Sequence, residues 1–237
     1  MKKTLLLAVL FLCTLAGLSA QSKKFSKKMS IALGIHDTAS TVGSELMALK
    51  AFQELVQKYP EEWLPAYWAA YLCTQIARLD GRSDQFPENL NGRQLLLDSK
   101  SYYDQAFKIK ANKTDQEHSD FLMLEGFIYG FYINMVAKTD EERATYQKIK
   151  QDRYKQAILL NPRNPLMYVM QGISLSQRDE YQSVLAGIGL LDYAESIFNK
   201  TSNRALSTHW NKDFIKFWRA RGENKLKGLL ENAEEKG

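Results

Sequence analysis

Five prolines, two cysteines and three histidines are all that 237 residues contain, and each shortage excludes something. With so little proline, long helices meet few breakers. Cys13 lies inside an apolar leader, so Cys73 stands alone once that leader is removed and no intramolecular disulfide can form. Surrounded by apolar neighbours, Cys73 reads as a buried, inert thiol. The histidines, His36, His118 and His209, are scattered. His118 follows Glu117, and adjacent residues on a helix point in different directions, so this pair makes no metal site. His36 precedes Asp37, Thr38, Ser40 and Thr41, which are too close in sequence to converge as a catalytic triad; Asp37 reads instead as a helix cap. No glycine-rich phosphate loop, paired-cysteine motif or His-Glu-x-x-His pattern occurs. The sequence thus offers no catalytic residue, no metal ligand and no cofactor motif.

What is present is ordinary globular composition, 45% hydrophobic and 25% charged. Met1-Lys2-Lys3, an apolar run over 5–18 and then Ser19-Ala20 read as a secretory signal peptide over 1–20, cut after Ala20. The run is too short and wrongly flanked for a stable membrane span. Cys13 lacks the small preceding residues of a lipidated cysteine. Residues 21–36, carrying Lys23, Lys24, Lys27 and Lys28, read as a basic linker, and 37–237 as one helical domain. Net charge is +5, and +3 without Lys2 and Lys3. The rest of the fold is close to neutral, which together with export to the periplasm or the exterior argues against a nucleic-acid partner.

Apolar residues recur at helical spacing through nearly every long segment. The pattern predicts helices near 40–58, 62–79, 91–110, 115–137, 140–160, 165–177, 186–199 and 210–233, with a polar loop over 80–91. Thr114 with Glu117, and Thr139 with Glu142, have the spacing of capping boxes. Phe52, Tyr103 and Tyr154 recur at equal intervals, each about two turns before a helix end, which suggests repeated helix–turn–helix units.

One unit is legible in detail. Ala157 is followed by Pro162, then by Tyr168 and Gly172; Leu122, Gly126 and Tyr129 repeat the spacing of the latter helix. Ala48, Phe52 and Pro60, and again Ala194 and Phe198, repeat that of the former, while Ala70 stands where a glycine would follow Trp63. These residues resemble the tetratricopeptide repeat, over roughly 44–200. The units here are longer than the family's. Lys150 and Ser99 stand where the family has a small residue, and Gln171 and Glu125 replace the apolar residue before glycine.

The resemblance implies an all-α fold, an α-solenoid of antiparallel helix pairs with seven or eight helices and a C-terminal capping helix. It also implies a concave wall lined by the first helix of each pair, here Tyr67, Tyr71 and Gln75, then Met123, Phe127 and Phe131, then Val169 and Ile173. On that wall a protein or peptide partner would be held, without catalysis. The alternative reading is a small-ligand carrier or enzyme with an aromatic pocket between helices, motivated by the aromatic density around 63–71 and 121–132. Trp210, Phe214, Phe217, Trp218 and Arg221 form one face of the last helix, which either caps the repeats or mediates self-association.

Overall fold

The computed structural model describes residues 23–80, 86–109, 114–201, 208 and 212–234. The expected leader, with Cys13, and also His209 and Trp210 lie outside them, as does part of the expected 80–91 loop. The described residues form nine helices and no strand. They are α1 (23–37), α2 (Val42–Lys58), α3 (Trp63–Ala77), α4 (Gly92–Lys108), α5 (Asp115–Met135), α6 (Asp140–Leu160), α7 (Pro165–Ser176), α8 (Tyr181–Thr201) and α9 (Lys212–Glu234).

Residues 23–36 of the segment expected as a basic linker are helical and belong to α1. Phe25, Met29, Ala32 and His36 are buried along one stripe, while Lys23, Lys24, Lys27 and Lys28 on the other faces are exposed. Four lysines obscured an ordinary amphipathic period. The stripe packs inward, with Phe25 edge-on to Tyr59 at 5.3 Å. Asp37 is the last residue of this helix. The N-cap of α2 is Thr41, whose hydroxyl accepts from Ser44 N at 3.2 Å while Ser44 Oγ accepts from Thr41 N at 3.0 Å. The boxes at Thr114/Glu117 and Thr139/Glu142 form as their spacing predicts. Each such cap contributes about 1 kcal/mol.

Helices pack as neighbouring pairs, α3 with α4, α5 with α6 and α7 with α8 most extensively, and α2 and α9 flank them. Between pairs, α3 touches α5, α5 touches α7 and α7 touches α9. The pairs run antiparallel, as cross-contacts show: Thr74 Oγ1 lies 2.8 Å from Ser99 Oγ and Gly92 N donates to Asp80 Oδ2 at 3.0 Å. Small residues set the approach. A Cβ on Gly126 would lie 2.2 Å from Cε1 of Tyr154, and one on Gly172 would lie 2.8 Å from Leu191 Cγ. Ala48, Phe52, Ala157, Ala194 and Phe198, picked out by spacing, are all buried.

The core is centred on α3, where fourteen of fifteen residues are buried. Such a helix is apolar all round because it has neighbours all round. By contrast α6, whose only buried residue is Ala157, presents charge to solvent along most of its length.

Candidate functional site

Helix α5 is the reference element, because its N-terminal turn is held by several other parts of the chain. The Asn161-Pro162-Arg163-Asn164-Pro165 turn between α6 and α7 supplies most of the clamp. Asn164 caps α7 through Leu166 N (2.9 Å), with Pro165 in the first turn where a missing N–H does no harm. Its amide also donates to Ser119 Oγ and Asp120 Oδ1, both at 2.8 Å, while Asn161 Nδ2 donates to Gln116 Oε1. Ser119 Oγ in turn donates to the carbonyl of Ala157 at 2.8 Å, and Thr208 donates to Asp120 Oδ2. Asn164, Ser119 and Asp120 are buried, and such a satisfied network fixes geometry. It makes α7 start beside the start of α5, so the two run in the same direction with α6 antiparallel to both.

Three helix faces then line an open-sided cavity of about 430 Å³. From α5 come Met123, Phe127, Gly130 and Phe131; from α6, Lys150, Tyr154 and Ile158; from α7, Met167, Met170, Gln171, Ile173 and Ser174. Counted from its first member, the α5 set recurs at four, seven and eight residues, the α6 set at four and eight, and the α7 set at three, four, six and seven, so each keeps mainly to one side of its helix. Gly126 and Gly130 lie one turn apart and do different things. The ring of Tyr154 fills the space at Gly126, whereas a Cβ on Gly130 would meet nothing closer than 3.9 Å, in the stem of Lys150. Phe131 stands edge-on to Phe127 at 5.2 Å.

Electrostatically the cavity is simple. Among the described residues Lys150 is the one charged residue in its lining, and none of them there is a carboxylate, histidine or cysteine. Burial alone draws the Lys150 amine below the ordinary lysine range, and it makes no ion pair among the described residues. Burial also pushes the Tyr154 phenol above its ordinary range. An apolar cavity of a few hundred Å³ with a few convergent polar groups is the usual form of a small-molecule site.

The opposite side of the α5–α6 pair carries a second cleft of about 500 Å³, lined by Tyr103, Phe107, Glu125, Arg153 and Leu159 among others. Its charges are internally matched. Glu125, 7% exposed, accepts from Tyr103 Oη at 3.1 Å and from Arg153 Nε, with Lys100 Nζ at 3.9 Å. Its rim is apolar and open, with Phe107 46% and Leu159 82% exposed.

The expected concave wall is not an open surface. Tyr67, Tyr71, Gln75, Met123, Phe127 and Val169 are buried, and Phe131 and Ile173 are partly so. The reason is cover from the chain ends. His36 of α1 packs on Trp68 and Tyr71 at 5.2 and 5.8 Å, and Phe214 of α9 meets Phe127 at 6.4 Å. Four of the eight, Met123, Phe127, Phe131 and Ile173, come together instead in the cavity lining. Lys150, Tyr154 and the two methionines of α7 were missed, although Lys150 and Gln171 had already stood out as departures from the repeat pattern. The aromatic face of α9 is divided: Phe214 and Trp218 join the core, while Phe217 is exposed beneath the guanidinium of Arg78 at 5.7 Å.

His36 is 3% exposed and neither ring nitrogen has a hydrogen-bond partner among the described residues. Burial lowers its pKa from 6.5 to about 4. Cys73 is buried and its thiol pushed up by the same cause. Among the described residues no group of three or more His, Cys, Asp or Glu is disposed to hold a metal ion, and no helix is long and apolar enough to cross a membrane. No protein-family model, curated protein or solved structure matches the chain.

Proposed function

We propose that this is an exported helical-repeat protein, a divergent relative of the tetratricopeptide solenoids, that binds a small, mainly apolar ligand between α5, α6 and α7 and performs no chemistry on it. The repeat reading is supported by the succession of antiparallel pairs and by the contacts linking α3, α5, α7 and α9 in order. The binding reading rests on one observation, the cavity of about 430 Å³ whose walls are apolar except for Lys150, Gln171 and Ser174. The test is displacement of a neutral fluorescent reporter, N-phenylnaphthylamine, from the purified protein. Saturable uptake by the wild type and loss of it in Gly130→Leu, which places a side chain in the open space beside Lys150, is the expected result. Uptake unchanged by that substitution moves the ligand elsewhere.

A second reading keeps a peptide partner but transfers it from the concave wall to the α4–α5–α6 cleft, because Leu159 and Phe107 stand exposed at its mouth. A Phe107→Asp, Leu159→Asp variant that still folds would release such a partner from an envelope extract. Retention by both proteins sinks this version.

A further inference from the structure

The cavity has two unlike ends, and their difference defines the ligand. Because Gly126 faces Tyr154 and Gly130 faces Lys150, α6 runs against α5, and Ile158 comes opposite the Met123 end. The clamp on Asn164 brings Met167 to that same end, and Ser174, two turns further along α7, toward Lys150. One pole is therefore methionine and isoleucine, and the other is an ammonium with a hydroxyl nearby. Eight residues of α6 separate Lys150 from Ile158, so the poles are roughly 12 Å apart.

We propose that the ligand is an amphiphilic monocarboxylate of medium chain length, seated with its hydrocarbon toward Met123, Ile158 and Met167 and its carboxylate on Lys150 Nζ. This rests on the reading of the cavity as a ligand site and adds the class of ligand. The argument is charge complementarity. A wholly apolar ligand would desolvate further an ammonium that has no ion-pair partner among the described residues, which is costly. A cationic amphiphile would be repelled by it. A doubly charged headgroup would bring one negative charge more than the lining can match. A single carboxylate cancels the single positive charge and accepts the charge-assisted hydrogen bonds that the ammonium can donate. The hydrocarbon meanwhile gains by burial against side chains as flexible as Met123, Met167 and Met170, which adapt to an unbranched chain.

The experiment is calorimetric titration of the purified protein with decanoate, decanol and decyltrimethylammonium, using the wild type, Lys150→Met and Gly130→Leu, each first shown to melt cooperatively. We expect the wild type to bind decanoate about tenfold or more tighter than decanol, and the cation weakest, since one charge-assisted contact is worth about a factor of ten. Lys150→Met should lose that tenfold for decanoate while keeping its affinity for decanol, and Gly130→Leu should lose both. Equal wild-type affinities for decanoate and decanol, or a decanoate affinity that survives Lys150→Met, overturn the carboxylate assignment while leaving the ligand site standing. Binding of none of the three amphiphiles to the wild type, or binding indifferent to Gly130→Leu, overturns the ligand site itself.

Discussion

The two sides of the α5–α6 pair handle charge in opposite ways. On one side Glu125 is buried and answered by Tyr103, Arg153 and Lys100. On the other Lys150 is partly buried and answered by nothing among the described residues. A matched buried charge is structural: its removal strands a partner, and nothing from outside is needed to complete it. An unmatched one is a standing cost to the folded protein, and a ligand that neutralises it recovers that cost on binding. The difference teaches where to look for function in an all-helical fold whose sequence shows no catalytic motif.

The scale for an unmatched ionisable group that no ligand reaches is set by His36. Its folded pKa of about 4 lies below the unfolded value of 6.5, so the contribution of the neutral ring is complete above pH 6.5 and lost as pH falls toward 4. Urea unfolding at pH 7.5 and at pH 4 should differ by about 3 kcal/mol through this group, and His36→Leu should remove most of that pH dependence. If the variant and wild type lose stability in parallel, His36 is not the group responsible. The neighbouring ionisable groups are Tyr71, which burial keeps protonated throughout this range, and Glu45, whose own pKa burial raises.

The glycines one turn apart on α5 sharpen the comparison further. Gly126→Ala forces a Cβ into the Tyr154 ring and should destabilise by about 2–3 kcal/mol. Gly130→Ala meets no such obstacle and should stabilise by about 0.5–1 kcal/mol through helix propensity. Equal effects would mean that α6 does not lie as described along α5. Of the charged pair of substitutions, Arg153→Met should cost about 2 kcal/mol, discounted for the partial exposure of that arginine. Lys150→Met should cost nothing or raise the melting temperature by roughly 1–2 °C. The sign for lysine follows from its lowered pKa: the folded protein disfavours the charged form, so losing the charge removes a penalty. A melting temperature that falls in Lys150→Met as far as in Arg153→Met would erase the distinction between the two sides.

Much of the fold was legible because its signals are local. Capping boxes at Thr114 and Thr139 depend on residues three apart, and helix periods on residues three and four apart, so eight helices could be placed from neighbours in sequence. Helix α1 was not legible, since its period was hidden by Lys23, Lys24, Lys27 and Lys28, and the cap of α2 is Thr41, which the sequence did not single out in that role. The concave wall was misread for a different reason. Tyr67, Tyr71 and Phe127 have the same spacing whether a helix face looks onto solvent or onto another helix, and only the positions of α1 and α9 decide which.

Departures from the repeat pattern proved informative, though sequence could not sort them. Ser99 donates to the Ala70 carbonyl at 2.7 Å and Glu125 is ion-paired, whereas Lys150 and Gln171 line the cavity. The sequence by itself determined that the chain is helical, where most helices begin and end, and which small residues let them approach, because these follow from interactions within a turn or two. Only the tertiary structure decided which polar departure is paired within the fold and which lines the cavity. Pairing across helices depends on residues brought together from 22, 28 or more positions away, and no local pattern records whether that distant partner is there.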